Sequence, residues 1–126
     1  MNQAELKERM TSFGVNIIKM VNIMPNSVAG LAIAKQIVRS GTSPSANYRA
    51  ACLAKSDKDF VNKLKMVEEE LDETCHWLEM IMRSALLPTN YVNDLLQEGM
   101  QLTNIIAKSI VTTKARMAAD ETAKKK

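Results

Sequence analysis

Aromatic side chains are scarce in this 126-residue chain, at 4% of the residues, and histidine occurs once, as His76. Sheets lean on aromatic and β-branched residues to cover their pleated faces. The shortage, set against plentiful Met, Leu, Ile, Val and Ala, therefore points to an all-α fold. Cysteine occurs only at Cys52 and Cys75, without the spacing of a metal site, and both read as buried thiols in a reducing compartment. No apolar run approaches the roughly 20 residues needed to cross a bilayer. The polar, acid-bearing start MNQAELKER also lacks the apolar stretch of a secretory signal. The expectation is a cytoplasmic protein with no membrane partner.

Acid is absent altogether between Glu8 and Asp57, and this absence says more than the net charge of +3. Residues 1–67 carry ten Lys or Arg against four acids, residues 68–98 carry eight acids against Arg83 alone, and residues 99–126 carry six bases against two acids. Two readings compete. A basic helix can pack beside an acidic one. Alternatively, Lys35, Arg39, Arg49 and Lys55, helped by Lys124 to Lys126, form a basic face that meets the phosphates of RNA or DNA. With neither a nucleic-acid motif nor interleaved aromatics, such binding would be non-specific.

What is present reads as helix throughout. The 46% hydrophobic content suits one domain with a real core, expected over residues 1–118, with a Lys-rich disordered tail at 119–126. Leu6, Met10, Phe13, Ile17, Met20 and Met24 recur every three or four residues, a helical stripe that Pro25 stops. Asn26 or Ser27 can cap a second helix with an apolar face of Val28, Leu31, Ala34, Ile37 and Val38. A structural break is expected at Gly41, with Ser43 and Pro44 restarting the rod as cap and first helical residue. Asn47 and Tyr48, one turn on, are expected to hold that break, the Tyr48 ring packed and one of their polar groups bonded to free backbone.

Ser56-Asp57-Lys58-Asp59 has a capping-box pattern for the third helix. Phe60, Leu64, Val67, Leu71, Thr74, Leu78, Ile81 and Ala85 then form two interleaved seven-residue series, the seam of a helical bundle. A second apolar strip of Met66, Trp77 and Met80 on its flank is a candidate oligomer interface. Pro88-Thr89-Asn90 ends this helix and caps a fourth, striped with Val92, Leu95, Leu96, Leu102, Ile105, Ile106 and Ile110, with Gly99 either a point of close approach or a weak spot.

Chemistry is thinly represented. Glu73 and His76 make one Glu-x-x-His unit of the kind di-iron bundles use, but such a site needs two units and further glutamates. Cys75 and His76 are neighbours in sequence and project about 100° apart on a helix, so they form no dyad. No catalytic residue, metal or cofactor is implied. A small-ligand site around Glu73 and His76 at a subunit boundary stays open.

The run Arg39-Ser40-Gly41-Thr42-Ser43, followed by Ala46-Asn47-Tyr48-Arg49, Asp59-Phe60, Lys63-Leu64, Asp72-Glu73-Thr74 and Trp77-Leu78-Glu79, resembles the bacterial four-helix bundle protein family, also called the ribosomal RNA intervening-sequence protein family. Pro44, Ser45, Ala50 and His76 depart from its usual pattern. The resemblance implies an up-and-down four-helix bundle that assembles as a ring, commonly a homopentamer, to which the residues around Gly41 add a kinked or broken second helix. It implies no known reaction. Distant relatives are accessory variability proteins of retroelements, which bind a reverse transcriptase and nucleic acid. The expected function is therefore a non-catalytic homo-oligomer touching nucleic acid or a nucleic-acid enzyme such as a reverse transcriptase. The alternative is an oligomeric scaffold for another protein.

Overall fold

The computed structural model describes residues 1–125. Helix α1 spans Gln3–Val21, α2 Val28–Cys52, α3 Asp57–Arg83 and α4 Thr89–Lys124. Three N-termini carry side-chain caps: Asn2 Oδ1 accepts from the Glu5 amide at 2.8 Å, Ser27 Oγ from the Gly30 amide at 3.0 Å and Ser56 Oγ from the Asp59 amide at 3.1 Å. Each cap satisfies an amide that a helix start leaves free. Helix α4 starts behind Pro88 with no side-chain cap.

Short connections make successive helices antiparallel neighbours, the up-and-down order of a four-helix bundle. The core is fully apolar where the stripes meet: Met10, Phe13 and Ile17 of α1, Leu64, Leu71 and Ile81 of α3, and Leu102 and Ile106 of α4 are all buried. Among the described residues, three buried polar side chains interrupt it, Ser40, Thr74 and Thr113, and the first two form a pair. Thr74 Oγ1 of α3 and Ser40 Oγ of α2 share a hydrogen bond of 2.9 Å and are both buried, which fixes the register of these two helices. Helix α1 meets α4 over a shorter stretch, centred on Arg9, whose Nε donates to Glu98 at 3.0 Å, and on Phe13, which lies over Gly99.

The expected break in α2 is not there. Helix α2 runs unbroken through Gly41, Ser43 and Pro44. Pro44 cannot donate to the carbonyl one turn back, but three nearby hydroxyls donate to others: Thr42 to Val38 O at 2.6 Å, Ser43 to Arg39 O at 2.7 Å and Ser45 to Thr42 O at 3.1 Å. Ser43 is thus a mid-helix side chain and caps nothing. Gly41 serves packing, since a Cβ there would sit 2.8 Å from Cγ2 of Ile17 on α1. Pro44 itself is buried, so burial on both sides outweighs a helix propensity that reads as a stop. The Tyr48 ring is packed, 4% exposed, but neither its hydroxyl nor the Asn47 side chain makes the expected hydrogen bond to backbone among the described residues.

Other boundaries and faces also move. The buried side of α2 is Gly30, Ile37, Ser40, Gly41, Pro44, Tyr48 and Ala51, leaving Val28 91% and Leu31 52% exposed. Val61 joins the α3 seam as a buried residue and Phe60 is half-buried. Helix α3 stops at Arg83, five residues before Pro88. Ala85 follows in a left-handed conformation at φ 57°, with its amide donating to Met82 O at 3.1 Å and the Leu86 amide to Ile81 O at 3.2 Å. This is a Schellman ending built without glycine. Residues from Ala119 onward, expected to be a disordered tail, extend α4 as an exposed helical end to Lys124, and Lys126 lies outside the described residues.

Candidate functional site

At about 100° per residue, Lys35, Arg39 and Arg49 fall within about 80° of one another on α2, on the side opposite its buried face. All three are exposed, as is Lys55 in the connection to α3. The structure separates them by role. The Arg39 guanidinium donates to Glu73 and, at 3.2 Å, to Glu70, both on α3. Glu73 also accepts from the Trp77 indole at 3.1 Å. The Arg39 hydrogen bond holds the Glu73 carboxyl below the usual carboxylate range, helped by the indole. Lys35, Arg49 and Lys55 enter no ion pair among the described residues. Complementary packing of a basic helix on an acidic one thus accounts for one of the four cations.

The flank strip lies beside that ion pair. Met66 and Met80 are each 45% exposed, while Trp77 is half-buried with part of its ring against the core. Glu70 and Glu73 interrupt the strip between Met66 and Trp77, so its apolar continuity is limited to Trp77 and Met80.

The Glu-x-x-His unit is spoken for. Glu73 faces Arg39 and Trp77, and His76 stands edge-on to the Trp77 ring with centroids 4.9 Å apart. Among the described residues, no group of three or more His, Cys, Asp or Glu could hold a metal ion. Both thiols are half-buried rather than buried. Cys75 lies between α3 and α4, its Sγ 2.9 Å from where a Cβ on Gly99 would stand, and burial pushes it up to about 11. Of the two readings of Gly99, the structure thus supports the close approach.

One feature was not legible in the sequence. At the end of the bundle where α1 begins, two openings of about 600 Å³ and about 450 Å³ share Gln3, Phe60 and Thr113 as lining residues. They draw on α1, the end of α2, the start of α3 and the middle of α4, segments no local spacing relates. Arg116 of α4 donates to Asp57 of α3 at 2.7 Å on the rim.

These features define an all-α up-and-down bundle with a basic outward face on α2. The chain belongs to the 23S rRNA-intervening sequence protein family, whose model matches residues 2–108. It is similar to a crystal structure of a protein of unknown function from the S23 ribosomal protein family of Bacteroides thetaiotaomicron, at 30% identity and a TM-score of 0.78, over 83% of this chain and 97% of that one. No curated protein matches the chain. Among the described residues, no helix is long and apolar enough to cross a membrane.

Proposed function

We propose that this chain is a non-catalytic, self-associating cytoplasmic protein that contacts nucleic acid, or an enzyme acting on it, through the outward face of α2. The observation that carries the reading is the set of unpaired cations Lys35, Arg49 and Lys55 in a stretch without any acid from residue 9 to residue 56. Phosphate neutralisation by such a face is independent of sequence and falls steeply with salt. Repetition of the face around a homo-oligomer, five copies being the number the family resemblance suggests, would add weak contacts through multivalency.

Fluorescence anisotropy with mixed RNA and DNA oligonucleotides across a salt series tests the face. Replacing Lys35 and Arg49 by Gln is expected to weaken binding to all sequences and to flatten the salt slope by about one unit per lost phosphate contact. Binding absent even at low salt would remove this reading. For the assembly, Trp77→Glu is expected to shift the mass in light scattering toward monomer if Trp77, Met80 and Met66 lie between copies. An unchanged mass with retained helicity rejects that interface.

A second reading, an oligomeric scaffold for a protein partner, gains from one observation. Arg39 is already engaged by Glu70 and Glu73 and is withdrawn from the cations open to phosphate.

A further inference from the structure

We propose that the opening at the bundle end binds one nucleotide of a single strand, its base over Phe60 and its phosphate between Lys55 and Lys108. This rests on the phosphate-contacting reading above and names where a strand would be gripped rather than merely attracted.

The two openings differ in chemistry while sharing a wall. One is lined by Lys55, Ser56, Asp57 and Arg116, the other by Leu6, Tyr48 and Ile105, and Phe60 borders both. A ligand filling both must therefore carry an anionic part and a flat apolar part side by side. A nucleotide has this form: every base offers a π-face to an aromatic ring, and its phosphate lies a few bonds away. Lys55 lines the polar opening and Lys108 the apolar one, and neither is in an ion pair among the described residues, whereas Arg116 is engaged by Asp57, the single carboxylate of the two linings. Each opening has room for a base or a phosphate group. Phe60 is half-buried, so its ring is anchored on the core and still borders the opening. Lys55 belongs to the acid-free stretch and joins the opening to the basic face, so a strand lying on α2 could end in it. The lining supplies no paired donor and acceptor set for base edges, so the site is expected to prefer no particular base.

The test is anisotropy of labelled oligothymidylate and of an abasic strand of equal length, with full-length protein in low salt. Phe60→Leu keeps apolar bulk and removes the π-face. It is expected to weaken thymidylate binding about tenfold and to leave the abasic strand unaffected. Lys108→Gln, an exposed rim change, is expected to weaken both strands. Circular dichroism melting checks that each variant is folded, and Lys108→Gln carries the test if Phe60→Leu is not. If both strands bind alike, and neither Phe60→Leu nor Lys108→Gln changes binding while the Lys35 and Arg49 replacements still do, the nucleotide site is overturned and the basic-face reading stands. If neither strand binds wild-type protein, both fall.

Discussion

Arg39 on α2 and Glu73 on α3 are joined by a charge-assisted hydrogen bond that spans the two helices, and the Trp77 indole donates to the same carboxylate. The carboxyl is held low, principally by Arg39. A depressed folded-state pKa contributes stability above the unfolded carboxylate range, and that contribution disappears as pH falls through the folded value. Thermal melts of wild type and Glu73→Gln are therefore expected to differ at neutral pH and to converge in acid. A difference that persists unchanged below the carboxylate range would mean that Glu73 acts through packing instead.

Gly41 separates two physical effects of opposite sign. Alanine is the better helix former by about 1 kcal/mol, so a sequence-level view makes Gly41→Ala stabilising. The structure says otherwise, because the added Cβ would lie 2.8 and 2.9 Å from the two γ-carbons of Ile17. Overpacking of this kind costs about 1–3 kcal/mol. A net loss of about 1 kcal/mol is expected in urea denaturation.

At the end of α3, Ala85 is the only non-glycine residue with positive φ among the described residues, and it is exposed. Left-handed backbone costs an L-residue about 1–2 kcal/mol, part of which glycine returns as extra freedom in the unfolded chain. Ala85→Gly is expected to raise stability by about 1 kcal/mol with no change in helicity, measured by thermal melting.

Tyr48 is expected to separate ring from hydroxyl. The ring is buried, and burial, followed by a hydrogen bond to Cys52, raises the phenol pKa. Tyr48→Phe keeps the ring and is expected to cost on the order of 1 kcal/mol or less. Tyr48→Ala leaves a cavity and is expected to cost about 3 kcal/mol or more. Equal small losses in denaturant melts would contradict the packed position.

These residues also mark the limit of what the sequence reveals. The stripe of Leu6, Met10, Phe13, Ile17 and Met20 and the cap at Ser56 are local patterns, and each appears in the structure where the spacing puts it. Gly41 and Pro44 mislead because their local preference is to stop a helix, whereas contacts from Ile17 and the rest of the core decide the outcome. Ala85 gives no local sign of a helix end, since the usual glycine is missing. Of the surface, the cations on α2 are legible from the absence of acid around them. That Arg39 is paired while Lys35 and Arg49 are not depends on which α3 residues lie alongside, and so does the opening around Phe60. Helical spacing encodes a helix's own faces and not its neighbours' side chains.

The uneven distribution of charge has a consequence for motion as well as contact. Helix α2 carries no carboxylate, whereas the outer side of α3 carries Glu68, Glu69, Asp72 and Glu79. The acids of residues 68–98 gather at the end of the bundle where α3 finishes and α4 begins, whereas Lys55, Lys58, Lys63, Lys65 and Arg116 lie toward the other end, so the molecule has a permanent electric dipole with a component along its helices. In the field of a polyanion such a body experiences a torque before it touches anything. Were the partner a polyanion, as proposed, that torque would turn the basic end with Arg49 and Lys55 forward during diffusion, and a larger share of encounters would begin in that orientation than a net charge of +3 alone would give.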